Sequence, residues 1–178
     1  MTSQTPAPAA SDARLLLIDG HSVAYRAFFA LPVENFSTST GQHTNAVYGF
    51  TSMLINVLRD EQPTHLAVAF DKSRQTFRTE LYEGYKAQRE SSPAEFSGQV
   101  ALIKEVLDAL SIEHMDVEGF EADDIIATLA CQARELGGRV TIISSDKDLM
   151  QLVGEGVEML DPIKGKPIGR DEVFEKFG

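Results

Sequence analysis

The stretch Gly119-Phe120-Glu121-Ala122-Asp123-Asp124-Ile125-Ile126 places three carboxylates at the beginning of an apolar helical run. Apolar residues recur at helical spacing from Ile125 to Leu136, which predicts an amphipathic helix that begins near Glu121. Acidic residues in a first helical turn are common because they complement the helix dipole. Taken alone, the stretch therefore indicates only a stable helix start. Any functional interpretation depends on where the other aspartates fall.

Three further apolar runs each end on an aspartate, at residues 14–19, 65–71 and 139–146. Short, continuous apolar runs are typical of strands that are buried on both faces of a parallel sheet. They alternate with amphipathic segments at residues 45–59 and 92–110. This alternation predicts an α/β fold with a mostly parallel central sheet, flanked by helices and joined by right-handed crossovers.

Shorter signals complete the predicted pattern. Ser22 is expected to cap a short helix, and Ser92 to begin a capping box with Pro93 at the first helical position. Gly137-Gly138 predicts the end of the acidic helix. The remaining expectations are strands at residues 112–117 and 157–160, a loop at 31–44, a turn at 162–167 and a helix at 171–177.

Composition limits the class of protein. The chain has 178 residues, 43% hydrophobic and 24% charged, as expected for one globular domain, and no apolar run is long enough to cross a membrane. Residues 1–13 are polar and rich in alanine, proline and serine, which predicts a disordered lead-in to a core at 14–178. The single cysteine, Cys131, falls on the apolar face of the predicted helix and fits a reducing cytosol. We therefore expect a cytoplasmic protein.

The distribution of charge sets one segment apart from an acidic chain. The net charge is −11, yet residues 72–89 carry five basic and two acidic residues, a local charge of +3 that leaves −14 for the rest. Lysine and arginine there can bind phosphates, and Phe77, Tyr82 and Tyr85 offer faces on which bases can stack. A solvated helix face with aromatic core residues is the alternative interpretation. The position of the segment, directly after Asp71, favours nucleic-acid binding.

The carboxyl ends of parallel strands meet at one edge of the sheet, where ligands bind in open α/β folds. The helix that carries the acidic stretch starts at the same edge, because it leads into the strand at 139–146. The acids expected there number seven: Asp19, Asp71, Glu121, Asp123, Asp124, Asp146 and Asp148. Two ionised carboxylates about 4 Å apart repel by about 4 kcal/mol at an effective dielectric constant of 20.

Such a cluster requires that some of the acids stay protonated or that a divalent cation lies among them. Oxygen ligands without thiolate or imidazole favour Mg²⁺ or Mn²⁺, and the four scattered histidines give no zinc-binding spacing. A pair of such ions can clamp the attacking and leaving oxygens of a displacement at phosphorus. The sequence therefore indicates metal-dependent hydrolysis of a phosphodiester.

Several short motifs, in this order, resemble one family. They are Leu17-Ile18-Asp19-Gly20, Tyr25-Arg26-Ala27-Phe28-Phe29, Ala46-Val47-Tyr48-Gly49-Phe50, Phe70-Asp71, Phe77-Arg78, Tyr85-Lys86, the stretch from Gly119 to Asp124, and Ser145-Asp146-Lys147-Asp148. They are similar to the 5′ nuclease domain at the N-terminus of bacterial DNA polymerase I, a member of the flap endonuclease family with a PIN-like fold. The resemblance runs from about Leu15 to the last residue.

The resemblance implies a 5′→3′ exonuclease and flap endonuclease that uses two Mg²⁺ or Mn²⁺ ions, held by the seven acids above. Its partners would be DNA with 5′ flaps, nicks or RNA-primed 5′ ends, and a polymerase domain in cis. The protein would be a nucleoid-associated monomer. The family also has a helical arch, here at about residues 72–98. By motif match, Lys86 and Arg89 would act on the scissile phosphate, with Asp123 as the third catalytic residue. Tyr82 would stack on a terminal base, and Arg26, Arg74 and Arg78 would hold phosphates, with Phe77 beside them.

The sequence departs from the family pattern at its C-terminus. Family members continue past Gly178 into a helix-hairpin-helix segment and a Gly-Asp-x-Ser-Asp-Asn-x-Pro-Gly motif that adds acids for the second metal. We therefore expect a fragment in which the second metal position is incomplete. Two alternatives stay open: a PIN-type ribonuclease, against which the 49 residues from Lys72 to Phe120 argue, and a DNA-binding fragment without catalysis. A phosphatase with an Asp-x-Asp nucleophile is excluded, because His21 follows Asp19-Gly20.

Overall fold

A computed structural model describes residues 12–87 and 92–178 of the chain. The described residues form one six-stranded sheet with the strand order β3-β2-β1-β4-β5-β6. The first five strands are parallel, and β6 pairs antiparallel with β5. The strands are β1 Arg14–Asp19, β2 His65–Ala69, β3 Glu113–Met115, β4 Arg139–Ile143, β5 Val157–Leu160 and β6 Pro167–Ile168. The predicted α/β class with a mostly parallel sheet is confirmed.

The helices follow the predicted alternation with the strands. They are α1 Gly20–Ala30, α2 Asn45–Glu61, α3 Phe77–Leu81, α4 Ala94–Ala109, α5 Ala122–Glu135 and α6 Arg170–Phe177, with short 3-10 helices at Val33–Asn35 and Lys147–Leu152. None of the described helices combines the length and the apolar character that a membrane span needs.

The sheet is covered on both faces, which explains why its strands are apolar throughout. Leu16 and Ile18 of β1 pack with α1, α2 and α4, whereas Leu17 between them packs with α5 and β4. Successive side chains of a strand point to opposite faces, so each strand contributes to two cores. The larger core includes three fully buried phenylalanines, Phe50, Phe70 and Phe96.

The structure corrects several local predictions. Helix α1 is capped by the side chain of Asp19 and not by Ser22, whose backbone N–H is the donor to that cap. Pro93 is the N-cap residue of α4 and no side chain caps that helix, so the capping box predicted from Ser92 does not form. Cys131 is exposed and not on the apolar face of α5. The predicted turn at 162–167 is followed by β6, whose two residues are too few for a strand pattern. The predicted lead-in at 1–13 lies almost wholly outside the described residues.

Helix α2 depends on a polar side chain from α4. Thr44, its N-cap residue, makes no side-chain cap. Instead, the buried Gln99 accepts hydrogen bonds from the backbone N–H groups of Ala46 (2.7 Å) and Val47 (3.3 Å). Gln99 also donates to Asn45 (2.8 Å), which in turn donates to carbonyls at the end of α1. This buried network ties α1, α2 and α4 together.

We predict that Gln99→Leu lowers the free energy of unfolding by about 2 kcal/mol or more, because it leaves a buried N–H of α2 and the Asn45 carbonyl without partners. The matched control is Gln132→Leu on the exposed face of α5, for which we expect a change within about 0.5 kcal/mol. Urea unfolding followed by circular dichroism measures both. Equal effects of the two substitutions would contradict a capping role for Gln99.

Candidate metal centre

The sheet order brings the strand-end aspartates side by side. Strands β2, β1 and β4 are neighbours, and Asp71, Asp19 and Asp146 lie at or just after their carboxyl ends. All three line one cleft of about 740 Å³, together with Glu121 and Asp123 from the start of α5. Five of the seven predicted metal-binding acids therefore share a single cleft.

Each strand-end aspartate is fixed by a backbone N–H that binds one of its two oxygens. Oδ1 of Asp19 accepts from the N–H of Ser22 (3.1 Å), and Oδ1 of Asp71 accepts from the N–H of Ala122 (2.7 Å). Oδ1 of Asp146 accepts from the N–H of Asp148 (2.9 Å). These side chains cap local structure, yet each keeps acceptor capacity for a ligand, since a carboxylate has about four acceptor sites.

Ser144 connects two of these acids and was not singled out by the sequence. Its buried hydroxyl donates to Oδ2 of Asp19 (2.8 Å) and accepts from the N–H of Asp146 (3.0 Å). A serine directly after the apolar residues of β4 is the only signal in the sequence, and it also fits a turn. His21, Ser22 and Tyr25 line the same cleft and were likewise not predicted as site residues.

Two glycines help to place the acids, one through a close approach and the other through its backbone conformation. A Cβ on Gly20, directly after Asp19, would lie 2.5 Å from the Phe70 ring, so only glycine lets α1 begin there. Gly119 has a φ of +79°, a left-handed conformation that side chains disfavour, and it turns the chain into the acidic stretch. Both glycines thus act on the position of carboxylates two residues away or less.

Burial and mutual repulsion raise the pKa of two acids. The pKa of Asp19 rises to about 6, mainly because the side chain is buried, with further contributions from the charges of Asp71 and Asp146. The pKa of Asp123 rises to about 7, first through burial and then through the charges of Asp19, Asp146 and Asp71. At neutral pH the site therefore holds negative charge that the surrounding protein does not fully compensate.

Glu121 is neutralised by the segment that follows α3. Nζ of Lys86 lies 2.7 Å from Oε2 of Glu121, and the Tyr85 hydroxyl lies 3.5 Å from the same atom. Burial alone would lower the pKa of Lys86, but its hydrogen bond to Glu121 raises it. Lys86 adopts a left-handed backbone conformation with a φ of 53°, which costs a non-glycine residue of order 1 kcal/mol or more and persists only where contacts hold it.

The structure separates Asp124 and Asp148 from the other predicted metal-binding acids, since neither lines the cleft. Asp124 forms a bidentate ion pair with Arg78, with both N–O distances 2.8 Å. That hydrogen bond lowers the pKa of Asp124 and raises the pKa of Arg78. Asp148 is exposed, on the first turn of the 3-10 helix.

The residues predicted to bind DNA fall into separate environments. Arg74 and Lys86 line the cleft, with Lys72 beside them. Tyr82 is 69% exposed, which leaves a face for stacking. Phe77 contacts Phe120 (ring centroids 5.7 Å apart) and lies under the Arg78 guanidinium. The other two are Arg26 and Arg89. Arg26 lies close enough to Asp161 for its charge to act on that carboxyl. Burial raises the pKa of Asp161, but backbone hydrogen bonds and the charge of Arg26 together lower it. Arg89 lies outside the described residues.

The donor set fits a hard divalent cation. The carboxylates of the cleft offer oxygen atoms only, and the raised pKa values of Asp19 and Asp123 show that added positive charge would stabilise the site. Within residues 12–87 and 92–178, no three acid, histidine or cysteine side chains stand in a geometry that could hold an ion as they are placed.

Comparisons with known proteins agree with this geometry. Residues 14–178 match the family described as "5′-3′ exonuclease, N-terminal resolvase-like domain". DNA polymerase I of Mycobacterium bovis is 54% identical over 181 residues, which cover 99% of this chain and 20% of that protein. The chain thus spans about a fifth of the length of this relative.

Two solved structures from T5 share the fold. The D15 protein co-crystallised with metal ions has a TM-score of 0.69 at 19% identity, over 92% of this chain and 60% of that one. A variant of the D15 flap endonuclease, in a pseudo-enzyme-product complex with DNA and metal ions, has a TM-score of 0.64, also at 19% identity and with the same coverage. At this identity the likeness concerns the fold alone, and it confirms the PIN-like fold.

We predict opposite effects for two adjacent aspartates on stability without metal. In a chelating buffer at pH 8, Asp123→Asn should raise the free energy of unfolding by at least about 1 kcal/mol, or about 2–4 °C in melting temperature. The substitution removes a carboxylate whose ionisation destabilises the folded state, since its pKa is about 7 there and 3.8 ordinarily. Asp124→Asn should lower the melting temperature, because Arg78 loses its partner.

The pH dependence of these effects has a defined sign. The raised pKa of Asp123 means that its ionisation costs stability above pH 3.8, in full above about pH 7, so the gain from Asp123→Asn should shrink as the pH falls from 7 to 4. The lowered pKa of Asp124 means that its contribution is present above 3.8 and disappears below it. Thermal melts of the two variants between about pH 2 and 8 measure both. A stability loss in Asp123→Asn that equals the loss in Asp124→Asn would contradict the assignment of repulsion to the cleft.

Proposed function

The chain belongs to the family of 5′-3′ exonuclease N-terminal, resolvase-like domains, and from that premise we propose that it hydrolyses DNA phosphodiesters near 5′ ends. The activity proposed is that of a 5′→3′ exonuclease and structure-specific flap endonuclease, in primer removal and repair. The observation that carries this proposal is the single cleft that Asp19, Asp71, Asp123 and Asp146 share with Lys86. Carboxylates and a facing cation are the groups that phosphodiester hydrolysis needs, and no covalent nucleophile is required.

We propose Mg²⁺ or Mn²⁺ as the cofactor, with two ions in the complete domain. Asp19, Asp71, Asp123 and Asp146 would hold the first ion, directly or through water, and Glu121 would join them after releasing Lys86. Asp148 stays a proposed second-ion ligand. When bound, such ions lower the pKa of a coordinated water and offset the charge of the phosphate. The D15 structures with metal ions, and a structure of T5 5′-exonuclease with bound divalent metal ions, support divalent-metal dependence.

The protein's own residues would position the acids and bind the DNA phosphates. Ser144 holds the Asp19 carboxylate in place, and the backbone of α5 fixes Asp71 through Ala122. Lys86 lines the cleft together with these acids, where it would hold a phosphate oxygen once Glu121 no longer pairs with it. Arg74 also lines the cleft and would contact the DNA backbone. The cleft thus combines acids that would hold the metal with cations that would bind DNA.

Further elements of the proposal concern partners and context. We propose that the substrates carry 5′ flaps, nicks or RNA-primed 5′ ends, and that Tyr82 and Phe77 contact bases. Because the relative from Mycobacterium bovis is DNA polymerase I and is about five times longer, a polymerase domain in cis is the proposed partner. We also propose a monomer in the cytoplasm, associated with the nucleoid. Arg89 and Arg26 stay proposed DNA contacts.

We predict that the chain cleaves a labelled 5′-flap duplex when Mg²⁺ or Mn²⁺ is added and not when a chelator is present. Asp123→Asn should lower the single-turnover rate at least about 100-fold, because the cleft loses a charge aimed at the reacting centre. The matched control is Asp60→Asn, an exposed aspartate paired only with its neighbour Arg59 among the described contacts, which should leave the rate unchanged.

The same assay separates the competing functions. Metal-dependent binding of the flap without cleavage would make this chain a binding module. Faster cleavage of single-stranded RNA than of the DNA flap would favour a PIN-type ribonuclease. Equal rates in Asp123→Asn and the unaltered chain would place the reaction outside this cleft.

Lys86→Ala should slow the chemical step about 10-fold or more while changing the dissociation constant for the flap duplex less than about threefold. The reason is that Lys86 pairs with Glu121 and lines the cleft together with the other carboxylates, where charge develops during the reaction. Single-turnover kinetics at saturating enzyme and an equilibrium binding titration separate the two quantities. A loss confined to binding affinity would place Lys86 outside the reacting centre.

A further inference from the structure

The carboxylate of Asp124 has both oxygens engaged within the protein. Oδ1 accepts from Nη2 of Arg78 and Oδ2 from Nη1, each at 2.8 Å, and Oδ2 also accepts from the backbone N–H of Glu121 at 2.9 Å. Three of its roughly four acceptor sites are thus occupied. Asp124 is therefore committed to the fold, although it lies next to Asp123 in the sequence.

Arg78 is equally committed. Its two terminal nitrogens bind the Asp124 carboxylate in the parallel arrangement that suits a guanidinium, and its Cζ lies 4.5 Å from the centre of the Phe77 ring. Its side chain is 32% exposed. A phosphate could use the same fork only after Asp124 had been released. The ion pair therefore competes directly with phosphate binding by Arg78.

Several contacts join α3 to the acidic stretch around this ion pair. The N–H of Phe77 donates to the carbonyl of Gly119 (2.9 Å), Thr76 and Gly119 form a parallel bridge, and the Phe77 ring packs on Phe120. The ion pair adds a contact between α3 and α5 to those between α3 and the acidic stretch. It spans 46 residues of sequence and is the only ion pair between α3 and α5 among the described residues.

Both partners of the ion pair are connected to Glu121, Asp124 by a hydrogen bond and Arg78 through the chain that follows α3. On one side, Asp124 accepts the backbone N–H of Glu121 and so fixes the first turn of α5. On the other, the chain leaves α3 at Leu81 and reaches Tyr85 and Lys86, whose side chains contact the Glu121 carboxylate. The pair thus sets the position of Lys86 relative to the acids without touching the cleft itself.

We propose that Arg78 and Asp124 are positioning residues whose ion pair holds residues 77–87 against the first turn of α5, so that Lys86 faces the carboxylates of the cleft. This assignment replaces a DNA contact by Arg78 and a metal ligand at Asp124. It rests on the proposed function for its kinetic consequences. Its structural part, the docking of residues 77–87 on α5, can be measured without substrate.

The kinetic test is a double-mutant cycle with Arg78→Gln, Asp124→Asn and the double variant, in the 178-residue chain. We expect each single variant to lower the single-turnover rate on a 5′-flap duplex about 10-fold, and the double variant to lose no more than either single one. The dissociation constant of the flap duplex, its salt dependence and the half-saturating Mg²⁺ concentration should each change less than about twofold. Arg78→Lys, which keeps the charge but loses the fork, should lie in between.

The alternatives predict different changes. If Arg78 binds a phosphate, Arg78→Gln weakens DNA binding and reduces the slope of log K against log salt by about 1. If Asp124 is a metal ligand, Asp124→Asn alone raises the half-saturating Mg²⁺ concentration. Losses that add in the double variant would show that the two residues act separately. Each of these results would overturn the proposal.

The structural test is amide hydrogen exchange without DNA or metal. Residues 77–87 should exchange at least about 10-fold faster in Arg78→Gln and in Asp124→Asn, whereas α4 and the sheet should exchange as in the unaltered chain. Arg59→Gln, which breaks an exposed ion pair elsewhere, is the matched control and should change neither region. Unchanged exchange at 77–87 would overturn the docking role even if cleavage is slowed. Absence of cleavage by the unaltered chain would contradict the proposed function instead, and exchange would then decide the docking role alone.

Discussion

Repulsion between carboxylates is the constraint on which the site depends. The parallel order of β2, β1 and β4 forces Asp71, Asp19 and Asp146 to one edge, and the start of α5 adds Asp123 there. The fold tolerates the resulting repulsion because one oxygen of each strand-end aspartate accepts a hydrogen bond from a backbone N–H. Without the aspartate, that N–H would need another acceptor. The carboxylates thus contribute to local structure while they oppose one another across the cleft.

The fold was largely predictable because buried parallel strands leave a continuous apolar run that periodicity detects. The strands that end in aspartate, the long helices and the start of α5 lie where the sequence indicates them. The failures are local, and those that concern helix caps share one cause, since a cap depends on which neighbouring group reaches the helix end. Asp19 displaces Ser22 as the cap of α1, and Gln99 reaches α2 from 53 residues away.

The candidate site was predictable in its location but not in its internal pairing. Strand ends and helix starts identify which acids share an edge, so five of the seven acids line the cleft. The pairing of Arg78 with Asp124 connects residues 46 positions apart and leaves no local pattern. Ser144 was missed for a related reason, because a serine after a strand fits a turn as well as a site.

The three acids between Glu121 and Asp124 differ in how their charge is compensated. Asp124 is compensated by a bidentate arginine whose pairing is geometrically complete, so this charge is fixed. Glu121 is compensated by Lys86, a point charge on a flexible stem that can move to another anion at little geometric cost. Asp123 has neither partner, and burial together with the charges of Asp19, Asp146 and Asp71 raises its pKa to about 7. Helix capping explains Asp124, whereas the cation proposed for the cleft accounts for Asp123 beside it.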